Sequence, residues 1–197
     1  MANEWDEAWT DEYIFNIWSP CLQWENPDPE RQVILEKMKG MNSILDIGCG
    51  GAVLRRWVPD SVLYVGVDNS KKMVKCAQLL FPGVSILEWP AHELPFVDRL
   101  FECSLLKHVL EHQSLSRFDD VIRQATRVSD KRVIISSFNL PFAENETVIH
   151  MAGPNDCFYN NILGEKFLET TIGKYGFGVI EKDNSVPNRS TWVCDRV

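Results

Sequence analysis

Short apolar runs alternate along this chain with longer stretches of helical spacing, and the alternation predicts a layered α/β protein. The runs at residues 43–47, 62–68, 84–87, 101–106 and 132–137 are too short for helices and read as strands of a sheet buried on both sides. Between them the pattern turns helical. Asp28 with Pro29 opens a helix that Gly40 closes, and Ser70 opens another reaching about Leu80, with Met73, Val74 and Ala77 as its apolar stripe. A short helix is expected after Gly51, ended by Pro59, and Ser116 with Asp119 starts a longer one. Phe167, Leu168, Thr171, Ile172 and Tyr175 mark the last helix. Two final runs, near 178–182 and 191–196, flank the turn-rich Asp183–Ser190 and can pair antiparallel. The expected sheet is doubly wound and mostly parallel, with helices on both faces.

Two segments stand outside this alternation. Trp5, Trp9 and Tyr13 lie four residues apart, so a helix sets them along one face of an aromatic N-terminal segment, residues 1–28. That face either packs onto the domain or forms a lid over a ligand. The second segment, residues 139–164, reads as a long polar loop offering Asn145, His150, Asn155, Asp156, Tyr159, Asn160 and Asn161 for substrate selection. With 197 residues, one domain spanning the whole chain is the simplest organisation.

Composition narrows the class of partner. Apolar residues make up 45% of the chain and charged residues 24%, as in globular proteins, and no apolar run approaches the length of a membrane span. The acidic start, Met1-Ala2-Asn3-Glu4-Trp5-Asp6-Glu7, is unlike a leader peptide. The six cysteines (21, 49, 76, 103, 157 and 194) show no paired metal spacing, so free thiols in a reducing cytoplasm are expected. A net charge of −8 without a basic stripe disfavours nucleic acid and favours a small-molecule substrate. No oligomeric state is implied.

The candidate chemistry begins at Ser43-Ile44-Leu45-Asp46-Ile47-Gly48-Cys49-Gly50-Gly51-Ala52. A strand ends in an acid and breaks into a glycine loop; 22 residues after Asp46 a second strand ends in Asp68. Such a unit binds nucleotides, with the glycines allowing close backbone approach and the second acid accepting from two ribose hydroxyls. A dinucleotide fingerprint would need glycine at position 53, where Val53 stands, and the acid before Gly48 would repel a phosphate but suit an ammonium group. Asp46-Ile47-Gly48-Cys49-Gly50 followed by Gly66-Val67-Asp68-Asn69-Ser70 resembles the class I S-adenosylmethionine-dependent methyltransferases.

Two further segments extend the resemblance across residues 40–140: Ala91-His92-Glu93-Leu94-Pro95-Phe96 with Phe101-Glu102-Cys103, and Val109-Leu110-Glu111-His112. The resemblance implies a seven-stranded Rossmann-like sheet with a C-terminal antiparallel strand. It also implies S-adenosylmethionine as cofactor, held by Asp46, Gly48, Cys49, Gly50, Asp68, Asn69, Met73, Pro90, Ala91, His92 and Lys107. The sequence departs from the family pattern at Ala52, where the last glycine is usual, and at Pro90, where an acid usually meets the adenine amino group. Adenine would then rest on backbone near Ala91 and on apolar contacts from Met73 and Trp89.

Methyl transfer chiefly needs alignment of the acceptor, worth roughly 7–11 kcal/mol, with a base adding about 10²–10⁴-fold when the acceptor keeps its proton. His108 and His112, following the fourth strand, are the base candidates; His92 reads as a bystander. His108-Val109-Leu110-Glu111-His112 also matches the H-x-x-E-H pattern of inverted zinc proteases, but it follows a strand rather than lying within a helix. Two alternatives are carried forward. One is a metal-assisted methyltransferase using His108, Glu111 and His112; the other is a noncatalytic S-adenosylmethionine-binding subunit. Asn139-Leu140-Pro141-Phe142 resembles the amino-group methyltransferase signature but follows the fifth strand instead of the fourth, and reads as a turn.

Overall fold

The computed structural model describes residues 11–138, 148–151, 159–162 and 164–197. Seven strands form the main sheet: β1 (Ser43–Ile47), β2 (Leu63–Asp68), β3 (Ser85–Glu88), β4 (Phe101–Lys107), β5 (Ser129–Phe138), β8 (Phe177–Asp183) and β9 (Arg189–Arg196). A separate antiparallel pair, β6 (Val148–Met151) and β7 (Tyr159–Ile162), lies between β5 and β8 in the chain. The main sheet runs in the order β3-β2-β1-β4-β5-β9-β8. Strands β1 to β5 are parallel, while β9 lies antiparallel between β5 and β8. This is the doubly wound sheet the alternation predicts, with the antiparallel closing strand.

The described residues hold five α-helices: α1 (Asp11–Trp18), α2 (Pro29–Lys37), α3 (Lys71–Leu80), α4 (Leu115–Val128) and α5 (Glu165–Gly173). The expected caps are in place: Asp28 accepts from the Arg31 amide at 3.0 Å and Ser70 from the Met73 amide at 3.2 Å. Helices α2 and α3 bury Ile34, Val74 and Ala77 against one face of the sheet with Ile44, Tyr64 and Leu105. Helices α4 and α5 bury Phe118, Ile122, Leu168 and Ile172 against the other, with Leu45, Val133 and Trp192. The register places Asp46 beside Gly66 and Ile47 beside both Val67 and Leu106. The chain therefore leaves β1, β2 and β4 at one edge of the sheet, where the strand order changes direction and ligands bind in such folds.

The structure differs from the sequence expectations in two places. After Gly51 there is no α-helix, only a 3₁₀ turn over Val53–Trp57, because Ala52 takes a left-handed conformation (φ +52°) and no side chain caps the turn. The segment expected to be an unstructured loop contains the β6–β7 pair, whose four-residue strands are too short for periodicity to reveal. Of the aromatic face expected at the N-terminus, only Tyr13 lies among the described residues. Tyr13 is exposed, and Ile14 packs with Cys76, Leu80, Trp18 and Met73; Trp5 and Trp9 lie outside the described residues. The described cysteines, 21, 49, 76, 103 and 194, are free thiols.

Gly66 is required inside β2 for space. A Cβ there would sit 2.8 Å from the Cys49 sulfur and 2.8 Å from Ile86 Cδ1. Overpacking of this kind costs about 1–3 kcal/mol. In urea denaturation Gly66→Ala should lose that much stability, and Cys49→Ala in the same chain should restore part of it; strict additivity of the two changes would contradict this packing.

Candidate active site

The glycine loop leaves β1 with Gly48 and Gly50 at positive φ, +71° and +52°. A Cβ on Gly48 would lie 2.5 Å from Val109 Cγ2, so the loop and the chain following β4 touch only because this residue is glycine. Amides of Gly48 and Cys49 both donate to the Val67 carbonyl, at 2.7 and 3.0 Å. Asp68 at the tip of β2 accepts the Gly50 amide on one carboxylate oxygen and the Ser70 amide on the other, each at 2.9 Å. The Asp68 carboxylate, with Asn69 next in the chain, thus stands beside a backbone loop with no side chain at Gly48, Gly50 or Gly51.

Asp46 ends the neighbouring strand in a different electrostatic setting. It is 4% exposed, and burial lifts its carboxyl to about 6 even though the Tyr64 hydroxyl donates to it at 2.5 Å. A buried carboxylate of this kind gains from a cationic ligand group, because only added positive charge offsets its lost hydration. The charge complementarity inferred from the sequence therefore has a physical basis here.

The third wall follows β3. The Trp89 amide donates to the Asp68 carbonyl at 2.8 Å, and its indole N–H donates to the Glu93 carbonyl, which fixes the turn carrying Pro90, Ala91 and His92. Met73 is partly buried under α1 and packs with Ile14 and Trp18. Trp18 itself lies on the loop, since a Cβ on Gly51 would be 2.8 Å from its ring. The N-terminal segment meets the glycine loop through Trp18, a residue the aromatic spacing did not single out.

At the carboxyl end of β4 lies a cluster of charged side chains around His108. His108 sits at φ +55° with Nδ1 2.6 Å from Glu111 and Nε2 2.9 Å from Glu30, and its ring lies over Phe138. Burial would lower its pKa, but hydrogen bonds to Glu111 and Glu30 outweigh that and raise it. With both nitrogens within hydrogen-bonding distance of carboxylates, the charged form of His108 is favoured over that of an ordinary imidazole. Glu30 also takes Lys107 at 3.0 Å and the Ser136 hydroxyl at 2.8 Å. Burial opposes its ionisation, yet His108 and Lys107 hold it well below the usual carboxylate range. Lys107 is shifted down by burial.

The same contacts alter the metal reading. Glu111 lies in a 3₁₀ turn (Leu110–His112), not a helix, and His108 has no nitrogen left to ligate. Among the described residues no group of three His, Cys, Asp or Glu side chains is arranged to hold a metal ion. His112 is half-buried on the far side of the turn and makes other contacts. Beside Lys107 and His108, a cavity of about 390 Å³ is lined by Arg31, Phe138, Pro187 and Arg189. It opens at the ends of β4 and β5, next to the crevice formed by β1, β2 and β4.

Comparison with known proteins agrees with this geometry. A family described as "Methyltransferase domain" matches residues 45–136, the stretch from the glycine loop to the end of β5. The matched residues make up a little under half of the chain and carry the parallel part of the sheet. No curated protein matches the chain. Among solved structures, the 1,6-didemethyltoxoflavin-N1-methyltransferase of Burkholderia thailandensis is 16% identical, with a TM-score of 0.70 over 100% of this chain and 91% of that one. The magnesium protoporphyrin IX methyltransferase of Synechocystis PCC 6803 is 16% identical, with a TM-score of 0.62 over 95% and 79%. A Methanosarcina mazei methyltransferase is 14% identical, with a TM-score of 0.68 over 84% and 97%. At these identities the likeness is one of fold. No helix among the described residues is long and apolar enough to cross a membrane.

Sequence reasoning passed over Glu30, Tyr64 and Trp18. Glu30 looked like an ordinary acid in the first turn of a helix, and Tyr64 like one more apolar strand residue. Only the sheet register, which brings Tyr64 to Asp46, could have exposed the second. Removing one partner from a buried ion-pair group costs about 3–5 kcal/mol. Glu30→Ala is therefore expected to lower stability by that order in chemical denaturation and to drop the His108 pKa in an NMR titration; an unmoved His108 titration would contradict the linkage. Stability contributed by ionised Glu30 should be present above about pH 4.5, its ordinary value, and fade as the pH falls below it.

Proposed function

We propose that this protein transfers the methyl group of S-adenosylmethionine to a small-molecule acceptor. The observation that carries the reading is the pair of carboxylates, Asp46 and Asp68, at the tips of adjacent parallel strands around a side-chain-free loop. When bound, the cofactor supplies a methyl on a positively charged sulfur, activated for displacement. Asp68 accepts from the ribose hydroxyls, with Asn69 beside it. Gly48, Cys49 and Gly50 offer close backbone, and Asp46 with the Lys107 end of β4 faces the ammonium end of the amino-acid tail. Met73, Pro90, Ala91 and His92 enclose adenine. The chain's remaining task is to hold the acceptor in line with the methyl and to keep water out, which is the larger part of the barrier in such a reaction.

The cavity of about 390 Å³ at the ends of β4 and β5 falls in the range of small-ligand sites, and its place beside the crevice suits the acceptor. His112 is a base candidate on the turn after β4, for acceptors that retain a proton at neutral pH. The aromatic segment 1–28 and the segment 139–164 supply the side chains that set specificity. The acidic surface, net charge −8, supports a small acceptor over nucleic acid, and the free thiols fit a reducing cytoplasm.

Calorimetry with S-adenosylmethionine and S-adenosylhomocysteine, followed by a methyl-release screen across phenol, amine, thiol and carboxylate acceptors, tests the reading. Binding plus turnover on one acceptor class is expected; binding without turnover on any would favour the noncatalytic subunit. Asp68→Ala should weaken either adenosyl ligand at least tenfold, and equal affinity would place the ribose elsewhere. Because Asp46 titrates at about 6, affinity should fall as the pH drops through that value and the carboxyl gains its proton. In Asp46→Asn that pH dependence should vanish and affinity should be low throughout; a retained pH step would assign the titration to another group.

A further inference from the structure

A second cavity, of about 350 Å³, lies at the opposite edge of the sheet from the crevice. Asp98 and Arg99 precede β4, Arg123 and Arg127 lie in the last turns of α4, and Arg196 ends the antiparallel β9, so the topology gathers them at the amino-terminal edge of β4. Four arginines line this cavity against one aspartate, in a chain whose net charge is −8. Tyr175 forms part of its wall.

The four arginines are not equivalent. Arg127 is spent on the frame, donating to the Phe96 and Leu94 carbonyls, to Asp98 and to Gln124. Arg196 donates through Nε to the Asp130 carbonyl and through Nη2 to the Thr126 and Ser129 carbonyls, with its guanidinium over the Phe177 ring. These contacts cap the end of α4 and need no ligand to explain them. Arg99 and Arg123 are different. Arg123 pairs with Asp120 through one nitrogen. The Arg99 guanidinium has no hydrogen bond or ion pair among the described residues. Its backbone is held at φ +55°, a conformation suited to glycine or asparagine, with the amide donating to the Arg127 carbonyl at 2.9 Å. The positive charge of Arg99 also disfavours the charged form of Arg196, behind the burial of Arg196 itself, so the like charges are close enough to repel. Capping a helix end does not call for a further, unpartnered arginine at a strained position.

We propose that this cavity binds a small phosphate-bearing molecule, held chiefly by the forks of Arg99 and Arg123 with Arg196 behind them. Guanidinium groups approaching from several sides match the oxygens of a phosphate, and the volume lies in the small-ligand range rather than that of an extended chain. The site is separate from the methyl-transfer crevice, because it lies at the amino-terminal end of β4 and the crevice at the carboxyl ends of β1, β2 and β4.

The test is calorimetry of the full chain with pyrophosphate, inorganic phosphate, citrate and a phosphoserine peptide as probes, for the wild type, Arg99→Ala and Arg123→Ala. Saturable one-to-one binding of pyrophosphate is expected, weakening with added salt and at least tenfold poorer in each variant. Arg99→Lys, which keeps the charge and loses the fork, should fall between. The variants should keep wild-type melting temperature and wild-type affinity for S-adenosylhomocysteine, which separates this site from the crevice. No saturable binding, or equal affinity in Arg99→Ala, would overturn the site. Citrate binding as tightly as pyrophosphate would overturn the phosphate assignment, and tighter binding of the peptide would overturn the small-molecule one.

Discussion

The Asp68 carboxylate is the interaction on which the rest of the site depends. It receives the Gly50 amide from the glycine loop and the Ser70 amide from the start of α3, so one side chain ties the loop after β1 to the helix after β2. Charge-assisted hydrogen bonds of this type are the strong ones, and they fix a loop whose glycines would otherwise sample many conformations. Everything placed by that loop follows: the close pass of Val109 over Gly48, the seating of Cys49 under Gly66, and the contact of Trp18 with Gly51.

A second constraint operates at the neighbouring strand tips. Asp46, Glu30 and Glu111 are all buried carboxylates, and they are partnered in different ways. Glu30 meets Lys107 and His108, whereas Glu111 meets His108 through Oε1 alone and its buried Oε2 has no partner among the described residues. Asp46 receives only a neutral donor, the Tyr64 hydroxyl, and the charges of Lys107 and Arg31 act on it only at longer range. The network at the ends of β4 and β5 is thus built of charged partners, while Asp46 at β1 is held by a neutral hydroxyl.

Much of this was legible in the sequence, and the reason is locality. The glycine loop, both strand-tip acids, the Asp28 and Ser70 caps and the strand runs are set by residues adjacent in the chain, so pattern and turn chemistry suffice to read them. What escaped reading depends on partners far apart in sequence. The pairing of His108 escaped because nothing near it in the chain reveals Glu30, 78 residues earlier. Tyr13 was grouped with Trp5 and Trp9 by spacing, while the residues of α1 that pack with α3 are Ile14 and Trp18. The β6–β7 pair was missed because four-residue strands carry too little pattern to distinguish them from a loop.

The central claim is that a crevice bounded by Asp46, the glycine loop and Asp68 receives an adenosyl amino acid. A crystal structure of the chain grown with S-adenosylhomocysteine tests it most directly. Density is expected with the ribose hydroxyls within hydrogen-bonding distance of the Asp68 carboxylate and the amino group towards the end of β1. An empty crevice, or the same compound lodged elsewhere on the molecule, would contradict it.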